Sequence, residues 1–119
     1  AYIGDSIFDL VIKTYLLDTK GNMQVNKLNR FASGLVKAET QSKLIGFIEP
    51  QLTQEEEAVY KRGRNAKSYT SAKNASISDY RRATGFEALM GYLYLNGEFE
   101  RMLALIKAAL DNWSVEGIV

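Results

Sequence analysis

Two acidic residues of this chain lie in unusually apolar surroundings. Asp5 follows Gly4 in the opening stretch AYIGDSIF, and Glu87 interrupts FEALMGYLYL, the most apolar helical pattern of the chain. A buried carboxylate is costly without a partner, and two carboxylates placed together repel unless a cation or ample water separates them. Gly4 and Gly91 are small enough to let two helices approach closely. Mg²⁺ prefers hard oxygen ligands and keeps several waters, so two carboxylates and a substrate phosphate can complete its shell.

The composition restricts the available chemistry further. The 119 residues include no histidine and no cysteine. This excludes thiol nucleophiles, disulfides, the usual zinc sites and every acid–base scheme built on imidazole. If the chain catalyses a reaction, carboxylates must carry the chemistry.

Both acidic residues also have a purely structural interpretation. An aspartate near a helix start commonly caps the helix or interacts with its dipole, and from the residues alone this is the commoner role for Asp5. Glu87 could form a salt bridge to Arg81, Arg82 or Lys61. Composition and spacing leave both alternatives open.

The apolar pattern predicts an all-α helical bundle. Apolar residues recur with the helical period, and the single proline, Pro50, ends one such pattern. Thr53 and Glu56 predict a capping box, Tyr94 is expected among the apolar contacts of the fifth helix, and Leu103 is expected to face inward from the last helix. The predicted helices cover residues from about 3 to 18, 26 to 47 with a bend near 33–34, 53 to 62 or 63, 80 to 96 and 99 to 113, with a surface loop over 63–79.

The length suits one domain over residues 1–119, able to bury roughly two-thirds of its unfolded surface. No apolar run approaches the roughly 20 residues needed to cross a bilayer, and no leader pattern is present. We therefore expect a cytoplasmic protein without a membrane partner. Because the sequence starts without Met inside a helical pattern, we expect the first helix to begin upstream of residue 1.

The net charge of +1 hides a strong segregation of charge. Residues 61–82 contain seven basic residues against one acidic residue, whereas residues 39–60 contain five acidic residues against one lysine. A charge run is often only a solvated surface, but asparagine, serine and tyrosine residues interleave with these basic side chains and suit phosphate and sugar contacts. The basic stretch thus predicts a polyanionic partner.

These motifs together resemble a known family. AYIGDSIFDLVIKTYL is similar to the signature helix of the ribonuclease III catalytic domain, and FEALMGYLYL is similar to its second acidic motif. RGRNAKS, followed by KN at residues 73–74, resembles the Mini-ribonuclease III branch, which lacks an appended double-stranded-RNA-binding domain. The resemblance covers essentially the whole chain and implies a single ribonuclease III-type endonuclease domain.

The resemblance implies that Asp5 and Glu87 are the catalytic residues and bind Mg²⁺, for which Mn²⁺ can substitute. Two further acidic positions of the wider family are occupied here by Ala1 and Thr84, so the number of metal ions is left open. Asp9, one turn beyond Asp5, suits an outer-shell role and a solvated position equally well.

The implied activity is hydrolysis of double-stranded RNA to 5′-phosphate and 3′-hydroxyl ends by a homodimer. The Mini branch implies a stem of precursor large-subunit (23S) ribosomal RNA as the substrate, with help from a ribosomal protein left open. The residues expected to contact RNA are Arg62, Arg64, Asn65, Lys67, Lys73 and Asn74.

Two other functions compete with this one. The absence of two family carboxylates would suit a non-catalytic protein that binds duplex RNA on the same fold. A helical protein-interaction module is the third candidate, and the basic stretch argues against it.

Overall fold

The computed structural model describes residues 1–20, 24–66 and 76–115. Over these residues the chain forms six α-helices and a short 3₁₀ turn at Glu49–Gln51. The predicted all-α fold is confirmed. The helices are α1 (Tyr2–Lys20), α2 (Val25–Leu35), α3 (Ala38–Ile48), α4 (Gln54–Asn65), α5 (Ile77–Leu95) and α6 (Phe99–Val115).

The predicted bend in the second helical pattern is a break three residues later than expected. Gly34 stays inside α2, and Lys37, with φ −64° and ψ 148°, is the extended residue that separates α2 from α3. The bend predicted at Gly34 is therefore wrong in position.

The loop predicted over 63–79 is shorter than expected at both described ends. Residues 63–65 belong to α4. The hydroxyl of Ser76 accepts a hydrogen bond from the backbone N–H of Asp79 and starts α5 at Ile77, because an N-cap serine satisfies a free helical N–H.

The predicted capping box is confirmed. The hydroxyl of Thr53 accepts from the backbone N–H of Glu56, and the Glu56 carboxylate accepts from the backbone N–H of Thr53. Glu56 is buried and receives two charge-assisted hydrogen bonds from Arg101 of α6, at 2.8 and 2.9 Å. These hydrogen bonds hold the pKa of Glu56 below its ordinary value, so one acidic residue both starts α4 and ties it to α6.

Helix α5 packs against α1, α3, α4 and α6 and forms the centre of the core. The rings of Phe8 on α1 and Phe86 on α5 meet edge to face, 5.0 Å apart. Fully buried side chains from α1, α3, α5 and α6 surround this pair: Ile12, Leu44, Ile45, Ile48, Leu89, Met90, Leu105 and Ile106.

Leu103 was predicted to face inward but is 48 % exposed. Tyr94 makes the predicted apolar contact, with the ring of Phe99 at 5.6 Å, while it stays 38 % exposed. Leu10 of α1, at 59 % exposure, lines a groove with Leu103 between α1 and α6. The helical period places these residues on apolar stripes, but no described helix covers that part of the stripes.

None of the helices in the described ranges combines the length and apolarity needed to cross a bilayer.

Candidate active site

The two acidic residues are placed by a backbone-to-backbone crossing of α1 and α5. A Cβ built on Gly4 would lie 1.6 Å from the carbonyl oxygen of Glu87, and a Cβ on Gly91 would lie 3.1 Å from the backbone nitrogen of Gly4. Any larger residue at position 4 would force the helices apart. The crossing brings the first turn of α1, which carries Asp5, against the middle of α5, which carries Glu87.

The Glu87 carboxyl is perturbed by this placement. Burial, the largest cause, and the neighbouring Asp5 carboxyl together raise its pKa from the ordinary value of 4.5 to about 7, and a hydrogen bond from Gln41 opposes the shift. Burial disfavours the charged form, and a second acidic group within reach does the same. Asp5 itself is exposed, so the pair consists of one partly desolvated and one solvated carboxyl.

Gln41 of α3 is a site residue that the sequence interpretation missed. Its side chain is 1 % exposed, and its Nε2 donates to the carbonyl oxygen of Val36 at 3.0 Å and, over a longer 3.4 Å, to Oε2 of Glu87. Its Oε1 is buried without a hydrogen-bond partner among the described residues. A glutamine on the same face as Leu44, Ile45 and Ile48 was the available signal.

The donor set fits one hard divalent cation. Mg²⁺ is commonly held by one or two carboxylates, with waters and substrate phosphates completing its shell. Burial, and after it the neighbouring Asp5 carboxyl, disfavour the charged form of Glu87, and a cation bound beside the two carboxylates would oppose both effects. The described residues contain no group of three or more His, Cys, Asp or Glu side chains suited to a metal, so an all-protein cage is not formed by them.

Three neighbouring residues do not enlarge this donor set. Ala1 has no oxygen ligand in its side chain, and the hydroxyl of Thr84 donates to the carbonyl oxygen of Tyr80 at 3.0 Å. Asp9 pairs with Lys13 at 3.0 Å across one turn of α1. For Asp9 the geometry therefore favours the surface interpretation over an outer-shell role.

The salt-bridge alternative for Glu87 is not seen among the described residues. Lys61 pairs with Glu57 at 2.9 Å. The guanidinium of Arg82 lies over α3, where a Cβ on Gly46 would be 2.9 Å from its Nη2. The side-chain hydrogen bonds of Glu87 thus involve a carboxyl and an amide, and no lysine or arginine of the described residues pairs with it.

Of the six predicted RNA contacts, three lie in the described part of the chain. Arg62, Arg64 and Asn65 occupy the last turn of α4, whereas Lys67, Lys73 and Asn74 lie outside the described residues. Arg64 and Asn65 share a groove of about 410 Å³ with Arg81 and Arg82 of α5. The sequence interpretation assigned Arg81 and Arg82 no RNA contact.

Comparison with known proteins assigns this chain to a class. The family model described as the ribonuclease III domain matches residues 1–98. The chain therefore belongs to the ribonuclease III family, and the predicted enzyme class, an endoribonuclease, is confirmed at this level.

Within this class, the chain is similar over most of its length to proteins named Mini-ribonuclease 3. It is 50 % identical to the one from Clostridium tetani, over 93 % of this chain and 74 % of that protein. It is 46 % identical to the one from Enterococcus faecalis, over 99 % of this chain and 86 % of that protein. The predicted resemblance to this branch is confirmed.

A solved structure supports the same fold. A crystal structure of a Fusobacterium nucleatum protein superposes with a TM-score of 0.80 at 27 % identity, covering 99 % of this chain and 89 % of that one.

Proposed function

We propose that this chain is a magnesium-dependent endoribonuclease that hydrolyses double-stranded RNA to 5′-phosphate and 3′-hydroxyl ends. The observation that carries the proposal is the crossing at Gly4, which brings Asp5 against Glu87 at the site of the perturbed carboxyl. Membership of the ribonuclease III family supports the substrate class. Residues 1–119 would form the catalytic domain.

Asp5 and Glu87 would hold Mg²⁺, with Mn²⁺ as a substitute. When bound there, the ion would lower the pKa of a water and offset phosphate charge. The residues prepare the site in different ways. Exposed Asp5 is accessible to substrate, half-buried Glu87 must release a proton before it can serve as a full ligand, and Gln41 restrains the Glu87 carboxylate from α3.

Cutting both strands of a duplex requires two sites related by a twofold axis, so the proposal includes a homodimer. An exposed apolar groove of about 440 Å³ between α1 and α6 supports it, lined by Leu10, Val11, Tyr15, Leu103, Ile106 and Leu110 among others. Exposed apolar surface of this kind commonly marks a protein interface.

The biological substrate we propose is a duplex stem of precursor 23S ribosomal RNA, as the resemblance of RGRNAKS to the Mini-ribonuclease III branch implies. If the purified chain cuts this RNA less well when it is free than when it is part of a ribosomal particle, we infer that a ribosomal protein assists cleavage. Cytoplasmic action follows from that substrate.

A second candidate is a duplex-RNA-binding protein without catalytic activity. Ala1 and Thr84 at family carboxylate positions favour it, because the described site offers two acidic ligands rather than four. It predicts salt-dependent RNA binding and no cleavage products with either Mg²⁺ or Mn²⁺.

Incubation with a long RNA duplex, with and without Mg²⁺, tests the proposal. We expect Mg²⁺-dependent shortening, 5′-phosphate ends and staggered cuts on the two strands. If the chain binds the RNA but leaves it intact with either Mg²⁺ or Mn²⁺, the non-catalytic alternative is favoured.

A further inference from the structure

We propose that the groove between the end of α4 and the start of α5 is a phosphate-binding site for the backbone of duplex RNA, built on Arg64, Arg81 and Arg82. This inference rests on the proposed function, because it assigns part of the RNA grip to named side chains. Arg81 and Arg82 are new to that grip.

The groove is cationic and lacks an acidic lining residue among those described. Its lining is Arg64, Asn65, Ile77, Ser78, Arg81 and Arg82, around a volume of about 410 Å³. The ion pairs of the described chain involve none of its three arginines. Three guanidinium groups without a carboxylate partner repel one another, and a phosphate between them relieves that repulsion.

Two of the three arginines are held in place by neutral contacts. The Arg64 guanidinium carbon lies 5.6 Å from the centre of the Tyr60 ring, and its Nε donates to Oδ1 of Asn65 at 3.1 Å. Arg82 reaches across to Gly46 of α3. These contacts limit the rotamers of both side chains and leave their charge available, so less conformational entropy is lost on binding.

The start of α5 forms one wall of the same groove. Ile77 and Ser78 are the first residues of this 19-residue helix, and they line the groove beside Arg81. Ser76 already caps the N–H of Asp79, and the Asp79 carboxylate in the first turn offsets part of the helix dipole. The positive charge of the groove therefore comes from its arginines.

The position along α5 relates the groove to the site of cleavage. Arg82 and Arg81 precede Glu87 by five and six residues, which corresponds to about 8–9 Å along a helix axis. Both positions of α5 face α3, because Arg82 approaches Gly46 and Glu87 accepts a hydrogen bond from Gln41. A strand held at the carboxylates therefore has neighbouring phosphates within reach of the groove.

The groove suits a backbone more than exposed bases. Single-stranded nucleic acids are usually held by aromatic side chains on which bases stack. The groove has no aromatic lining residue among those described, and Tyr60, which contacts Arg64, is itself 1 % exposed. Duplex RNA is recognised through phosphates and shape, which guanidinium groups can contact.

The test measures binding of a short RNA duplex to the full chain without divalent metal, over a range of salt concentrations. Arg64→Gln and Arg81→Gln should each lower the slope of log affinity against log salt by about 1 and weaken binding about 8-fold at 0.1 M salt. Arg81→Lys, which keeps the charge, should retain the slope. Arg30→Gln, on the exposed surface of α2, is the matched control and should behave like the wild type.

Wild-type affinity and slope in both groove variants would overturn the proposal, and thermal melting would verify that the variants fold. The proposal would also be overturned if the groove variants lost binding to a poly-glutamate peptide but bound RNA like the wild type. That result would assign the groove to an acidic protein partner. Cleavage with Mg²⁺ is scored separately. If the wild type and the groove variants show the expected salt slopes but the wild type does not cleave RNA, only the proposed activity is contradicted. If the wild type cleaves RNA but the groove variants bind it as the wild type does, only the proposed groove is contradicted.

Discussion

At Glu87, a proton would compete with the proposed metal ion for the same carboxylate oxygens. The unfolded chain releases this proton near the ordinary pKa of 4.5, whereas burial and Asp5 raise the pKa of the folded state to about 7. The folded state therefore binds more protons between these values, and the stability that this provides is lost as pH rises through about 7.

We expect the metal-free protein to lose stability between about pH 4.5 and 7, and Glu87→Gln to remove that part of the pH dependence. Above this range the variant should melt at a higher temperature than the wild type. Mg²⁺ should raise the Tm of the wild type and leave the variant nearly unchanged, because ligand binding stabilises only the protein that binds it. Thermal melts over a pH series measure both effects, and identical pH profiles of the two proteins would refute the assigned environment of Glu87.

Gln41 should influence how readily Glu87 binds the metal. Gln41→Leu removes the hydrogen bond that lowers the pKa of Glu87, so more of the carboxyl stays protonated near neutral pH. We expect the Mg²⁺ affinity measured by calorimetry to fall about 2- to 10-fold there, the range of one ordinary hydrogen bond, and to approach the wild-type value at alkaline pH. Gln54→Leu, on the exposed start of α4, is the control. A Gln41→Leu chain with wild-type affinity at both pH values would contradict this role.

The individual acidic residues could be predicted from sequence, but their partners could not. Asp5 and Glu87 stand out locally because each interrupts an apolar pattern. Gln41 contacts Glu87 across 46 residues, and Arg81 meets Arg64 only after α4 and α5 pack together. Such contacts depend on how helices cross, and the local periodicity of one segment contains no information about that.

The close crossing of α1 and α5 depends on Gly4, which has no side chain to separate the two helices. Gly4→Ala would place a Cβ against backbone, 1.6 Å from the Glu87 carbonyl oxygen, where rotamer changes cannot relieve the clash. We expect a loss of about 3 kcal/mol or more in the free energy of unfolding, together with loss of metal binding. Denaturant unfolding measures the first effect.

Gly34 of α2 is the matched control for that substitution, because nothing lies within 4 Å of a Cβ built there. Gly34→Ala should stabilise the protein by up to about 1 kcal/mol through helix propensity. Equal effects of the two substitutions would contradict the close approach of α1 to α5.

Helix starts were predictable where the signal is local. Thr53 and Glu56 form their capping box within four residues, and the structure confirms it. The break at Lys37 was misplaced because Gly34 weakens a helix without ending it, and the register between α2 and α3 depends on packing. Leu103 was predicted to face inward because its stripe is apolar, whereas burial requires a neighbouring helix.

For the whole molecule, the exposed apolar groove between α1 and α6 is the surface we expect to form the dimer. Leu103→Glu places a charge in this groove and should shift the protein toward the monomer at concentrations where the wild type is dimeric. Val25→Glu changes an even more exposed apolar residue, 69 % exposed on α2, and should leave the dimer intact. Sedimentation velocity distinguishes the two, and a monomeric wild type or a dimeric Leu103→Glu chain would contradict the assigned interface.

We propose that Asp5 and Glu87 act together on duplex RNA through a shared cation. The most direct measurement compares the Mg²⁺-dependent cleavage rate of a long RNA duplex by the wild type, Asp5→Asn and Glu87→Gln, with folding, dimerisation and metal-free RNA binding as controls. We predict that both variants fold, dimerise and bind the duplex, and that both lose cleavage at least about 100-fold, the scale expected when a group essential to transition-state stabilisation is removed. Undiminished cleavage by both variants would contradict the account.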